Sequence, residues 1–256
     1  MAIITFYSNS KKETGQTMSI AAVATSMAIE HNYKILLIST GYNDNTLELC
    51  FGTQDKNRSF INKLMQNSNT LSDSGIEGLS KIANSGKITP EIIQNYTHIV
   101  YRNRLELLYG YKNIKGISTK EEYLKSVEFY DDIIQNASKY YDIVLVDLDK
   151  DLRNDIIKKI LKLSDVIVYN IEQKIDIINK FLRIREEMDS NSKNKIVLNV
   201  GRFDENSKYT IKNIARYTRN KKRFNCNTIQ YLIFWSSKWR KGGRFIFKNS
   251  KYKWNR

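Results

Sequence analysis

The stretch Ile3–Thr17, IITFYSNSKKETGQT, decides how the chain is read. Its apolar start, Ile3–Phe6, has the composition of a buried strand. A loop of small and polar residues follows. Thr17 then opens MSIAAVATSMAIEHN, a helical pattern rich in small side chains. Strand, loop and helix start in this order leave free backbone N–H groups at a helix N-terminus, facing the place where an anion would sit. A strand–turn–helix with an ordinary polar loop has the same outline, so the rest of the chain must choose between the two.

Further apolar runs follow at intervals that leave room for helices. They are YKILLIS at 33–39, LELLYG at 105–110, YDIVLVDLD at 141–149, SDVIVYN at 164–170 and KIVLNV at 195–200. Between them lie helical patterns. Ser118 and Glu121 have capping-box spacing. Tyr123, Val127, Tyr130, Ile134 and Ala137 then form one apolar stripe at intervals of three and four. Ile156, Ile160 and Leu163 form a second, and Ile178, Phe181 and Leu182 begin a third. These stripes are core. Near-continuous apolar strands alternating with helices predict an α/β, doubly wound, mostly parallel sheet with helices on both faces. Ligands of such sheets bind at the carboxyl ends of the strands. Here those ends carry the loop at 9–17, the loop after Ser39, Asp147 and Asn199.

The loop departs from the standard phosphate-binding spelling GxxxxGK[ST], which would need lysine where the chain has Gln16. KKETGQT resembles the deviant Walker A loop of the ParA/MinD family, KGGxGKT. On that resemblance Lys11 is the signature lysine, Gly15 the last glycine and Thr17 the magnesium-ligating hydroxyl. Lys12 and Glu13 replace two glycines, and Gln16 replaces the phosphate lysine. The nucleotide cradle is then Lys11, Lys12, Glu13, Thr14, Gly15, Gln16, Thr17 and Met18. The family's DxDxQ segment falls on Ser39, Gly41 and Asn43, so both of its carboxylates are missing; Asp44 lies just beyond and would substitute only if the loop shifted. YDIVLVDLD resembles the Walker B strand, with Asp147 as the carboxylate that orients magnesium. Capping of the next helix is the structural alternative for Asp147. Asn199 resembles the family's asparagine beside the base, with turn chemistry as its alternative.

The resemblance covers about residues 1–220. It implies ATP and Mg2+ as cofactors, with Thr17 and Asp147 on the metal and Lys11 and Asp147 in any catalysis. It also implies a homodimer in which Lys11 reaches the partner's phosphates. The degenerate site on a preserved sheet points to the divergent TadZ/CpaE-like branch, a switch or positioning factor for pilus or secretion machinery, with partitioning as the other family role. Removing the loop lysine and the carboxylate at Ser39 implies weak or absent hydrolysis. A nucleotide-free scaffold is the reading from a different class.

Composition adds bounds. With 256 residues the chain has room for one large domain, or a domain and a tail. It has no run of 18 apolar residues and no secretory leader pattern, and Cys50 and Cys226 form no metal or disulfide spacing. The expected location is the cytoplasm, or peripheral at a membrane. His31 and His98 read as surface or helix-end residues, and Pro90 as the opening of a short helix at 90–96.

Net charge is +15, and its distribution matters more than its size. The last acidic residue is Glu205. The first 205 residues hold 27 of the 42 basic and all 27 acidic residues, a net of zero. All three tryptophans, Trp235, Trp239 and Trp254, fall in the last 22 residues. The chain thus divides into a nucleotide-binding domain, 1–220, and an irregular basic aromatic tail, 221–256. Three readings of the tail follow: contact with DNA, contact with an anionic membrane, or a non-native continuation produced by a frameshift.

Overall fold

The six apolar runs form the six interior strands of an eight-stranded sheet. The computed structural model describes residues 1–10, 14–52, 75–83, 86, 88–111, 123, 125–189, 195–218 and 224–226, with the backbone alone at 187–189, 195 and 224–226. The strands are β1 (Ala2–Tyr7), β2 (Ile35–Ser39), β3 (His98–Tyr101), β4 (Leu105–Leu108), β5 (Ile143–Leu148), β6 (Val166–Asn170), β7 (Lys195–Val200) and β8 (Phe224–Cys226). Their order is β3-β4-β2-β5-β1-β6-β7-β8. Every neighbouring pair is parallel except β3 and β4. The central strands β2 and β5 are buried along their whole length, as continuous apolar runs in a doubly covered sheet must be.

Helices cover both faces. Helix α1 (Gln16–Glu30) lies on one face with α2 (Thr46–Cys50), over Phe6, Ile35, Leu37, Leu107 and Leu145. Its contact side is Ile20, Ala21, Ala24 and Ala28. Alanines bring the helix backbone close to the sheet and fix where its N-terminus emerges. The other face is larger. It receives α3 (Gly75–Ala83), α4 (Pro90–Asn95), α5 (Tyr130–Ser138), α6 (Asn154–Leu163), α7 (Ile175–Asp189) and α8 (Ile211–Tyr217). The predicted stripe Val127, Tyr130, Ile134 and Ala137 is buried there, with Tyr123 packed against it. Each fully buried aliphatic or aromatic side chain in this layer stabilises by about 1.5–3 kcal/mol relative to exposure. The capping pair Ser118 and Glu121 lies outside the described residues.

The structure departs from the expectations in three places. The third predicted run, 105–110, leaves the sheet at Leu108, because the chain turns in at Gly110. A Cβ there would lie 2.4 Å from the Gly41 carbonyl oxygen, so the loops after β2 and β4 touch backbone to backbone. The antiparallel edge strand β3 was not foreseen; it reverses into β4 through Asn103, held at φ 61°. His98 stands on that strand, partly exposed at the sheet edge, with its ring stacked on Tyr109 at 5.7 Å. Finally, β8 pairs with β7 within the segment that the sequence places in the tail. His31 does end a helix, as the C-cap of α1, and α4 opens at Pro90 with Thr89 Oγ1 accepting from Ile92 N.

Candidate functional site

The carboxyl ends of β1, β2, β5, β6 and β7 meet around the start of α1. Gly15 is the N-cap residue, at φ 71°, a conformation that glycine adopts without strain. It also has no room for a side chain. A Cβ on Gly15 would lie 2.7 Å from the Gly201 carbonyl, and one on Gly201 would lie 2.3 Å from the Thr14 carbonyl oxygen. The turn into α1 therefore rests directly on the backbone that follows β7. Among the described residues no side chain caps α1, and its first turn contains no acidic residue. Its leading N–H groups and the positive end of its dipole are left for an anion.

Gln16 points away from that opening. Its Nε2 donates to Asp147 Oδ1 at 2.7 Å and to the Leu148 carbonyl at 3.0 Å. Asp147 is 9% exposed at the end of β5, paired in register with Ser39 on one side and Phe6 on the other. Burial pushes its carboxyl up to about 6, against the opposing hydrogen bonds from Gln16 and Thr17; Asp44 and Asp149 add repulsion. Thr17 and Asp147 thus stand together as a hydroxyl and a desolvated carboxylate. That donor pair suits a hard divalent cation. Asp147 caps no helix here.

Neighbouring loops brace this centre. Thr40 Oγ1 donates to the Asp147 carbonyl at 3.0 Å and accepts from Asp149 N at 2.7 Å, tying the end of β2 to the turn after β5. Asp44 accepts from Thr46 N at 2.8 Å at the start of α2, so its carboxylate is committed to that turn and reaches Asp147 only as a repulsive charge. Ser39 is buried, its hydroxyl beside Gly110. On the other side of β1, Ser10 Oγ donates to Glu172 at 2.8 Å, and Glu172 pairs with Lys174 at 2.5 Å. Asn199 is 1% exposed. Its amide nitrogen donates to Ser19 Oγ at 3.0 Å and to Asn170 Oδ1 at 2.6 Å, joining α1, β6 and β7 from beneath.

Of the residues singled out from sequence, Thr14, Gly15, Gln16, Thr17, Met18 and Asp147 come together here. Met18 lies on α1 with its Sδ 3.4 Å from Cys50 Sγ. Lys11, Lys12 and Glu13 lie outside the described residues. The bracing role of Thr40 was missed, and its only sequence signal was a hydroxyl directly after a buried strand.

No family model and no curated protein sequence matches the chain. Solved structures do. A ParA family ATPase from Chlorobium tepidum TLS superposes with a TM-score of 0.63 at 15% identity, over 88% of this chain and 83% of that one. The fold is that of the ParA/MinD P-loop ATPases. A plasmid partition protein from Borrelia burgdorferi B31 bound to AMPPNP gives 0.56 at 20% identity, over 88% and 83%. The cell division ATPase MinD from Pyrococcus furiosus gives 0.59 at 14% identity, over 86% and 80%.

Proposed function

We propose that the chain is a nucleotide-binding switch of the ParA/MinD type with weak or absent hydrolysis. One observation carries the reading: α1 begins at a left-handed glycine, uncapped by any described side chain and directly opposite a buried carboxylate. Phosphates of ATP or ADP would sit on the N–H groups of Gly15, Gln16, Thr17 and Met18, with Lys11, Lys12, Glu13 and Thr14 forming the approach. Thr17 and Asp147 fit Mg2+, which when bound sets positive charge against the phosphate oxygens. Asn199 supports the first turn of α1 through Ser19, and on the family resemblance it would border the base. Lys11 would reach across to a second copy, making a dimer around two nucleotides.

Hydrolysis needs charge placed around the terminal phosphate and an oriented water. Gln16 brings no charge, and Ser39 replaces a carboxylate. Lys11 and Asp147 are the residues left for any slow turnover. A switch of this kind would position cargo, in pilus or secretion assembly of the TadZ/CpaE kind or in partitioning. The observation favouring a nucleotide-free scaffold instead is that the Gln16 amide is already bonded to β5. Isothermal titration with ATP and MgCl2 separates the two. Heat of binding is expected; none at millimolar nucleotide, from a folded sample, leaves the scaffold.

A further inference from the structure

A primary amide carries two N–H groups. Gln16 directs its amide nitrogen at two acceptors on the same strand end, the Asp147 carboxylate at 2.7 Å and the Leu148 carbonyl at 3.0 Å. Neither hydrogen is left for a phosphate oxygen while these bonds stand. The first acceptor is also one half of the pair that suits a cation. In a lysine-bearing loop the residue at this position goes to the phosphates, which leaves the strand-end carboxylate to orient metal-bound water. Glutamine reverses the allocation: it sits on the carboxylate, and position 16 offers the phosphates only its backbone N–H.

We propose that Gln16 is a latch on Asp147 that uncouples nucleotide binding from magnesium. The proposal rests on the nucleotide-binding reading above and specifies how that site is regulated. A hydrated Mg2+ approaching Asp147 competes with a bond that is short, made to a buried carboxylate and supplied by the first residue of α1 itself. Charge-assisted bonds of this kind are roughly twice as strong as neutral ones. Nucleotide held by the α1 N–H groups then gains little from the metal. Gln16 is a positioning residue, acting through Asp147.

The test titrates ATP into the full chain and into Gln16→Met, each in excess MgCl2 and in excess EDTA. Methionine keeps the length of the side chain and removes both donors. The wild-type affinities are expected to agree within about threefold, whereas Gln16→Met is expected to bind about tenfold or more tightly with magnesium than without. A wild type that depends on magnesium as strongly as the variant overturns the latch and leaves the nucleotide site standing. A variant as indifferent as the wild type also overturns it. If neither folded protein takes up ATP in either buffer, the nucleotide reading fails and the latch falls with it. A measurement on the wild type alone covers a variant that does not fold. With glutamine-selective 15N labelling, the Gln16 side-chain amide signals should stay in place when ATP and MgCl2 are added. Movement to the position of a free amide overturns the proposal.

Discussion

Gln16 and Asp147 show how one substitution redirects a site. A lysine at position 16 would carry its charge on a flexible stem able to leave Asp147 for a phosphate. Restoring it by Gln16→Lys adds a charge-assisted contact of about 1.5–3 kcal/mol, part of which is offset by leaving Asp147. The expected outcome is about a tenfold gain in ATP affinity by calorimetry; unchanged affinity would mean that the loop does not wrap phosphates. Asp147 has a stability consequence of its own. Its carboxyl is raised from an ordinary 3.8 to about 6. Between those values the native state holds a proton that the unfolded chain has already released. Native stability from this group therefore falls as pH climbs from about 4 to about 6, and above that the cost is complete. The cost is on the order of 3 kcal/mol. Asp147→Asn keeps an acceptor for Gln16 and removes the charge. Denaturation curves should show the variant more stable than wild type at neutral pH and no more stable near pH 4. A variant that is no more stable at neutral pH would show the carboxylate to be better solvated than its burial implies.

At the scale of elements, the strands that the sequence made legible are those buried on both faces. YKILLIS and YDIVLVDLD have no polar alternation to confuse with a helix, and both are central in the sheet. The strands β3 and β8 were hidden by brevity: four residues on an antiparallel edge and three on the other edge. The site divides in the same way. Gly15, Thr17 and Asp147 are readable because each holds a fixed place at a strand or helix end. The Gln16–Asp147 bond spans 131 positions and follows from the pairing of β1 with β5, which no local pattern encodes. Asn199 could be singled out from its place at a strand end, but its burial beneath α1, bonded to Ser19 and Asn170, could not. The turn into α1 makes its own prediction. Gly201→Ala drives a Cβ to 2.3 Å from the Thr14 carbonyl oxygen, which is backbone and has little freedom to retreat. Circular dichroism should show the sheet retained, while ATP affinity drops at least tenfold. Full retention of binding would mean that the turn relaxes at no cost to the site.

At the scale of the whole molecule, charge and fold separate. The stretch up to Glu205 is neutral, and the basic excess follows it. Among the described residues no helix is long and apolar enough to cross a membrane. Most of the segment assigned to the tail, including TIQYLIFW, lies outside the described residues. The pairing of β8 nevertheless sets where a truncation becomes harmful. Ending the chain after Cys226 is expected to leave the melting temperature nearly unchanged. Ending it after Asn220 removes an edge strand paired at three positions, at a cost of roughly 1–3 kcal/mol. Neither truncation should bind DNA or anionic vesicles. Affinity in the full chain that falls steeply with salt would assign the tail to a polyanionic partner, and equal affinity in a truncated chain would place that contact on the retained domain instead.

The contact of Gly15 with Gly201 also has an evolutionary consequence. Two loops nearly two hundred positions apart share one backbone-to-backbone surface, so neither can accept a side chain alone. Drift at these positions is therefore paired. In diverged relatives of this chain, a larger residue at either position is expected only together with an insertion or a reshaped turn at the other. The two glycines should be lost together or kept together.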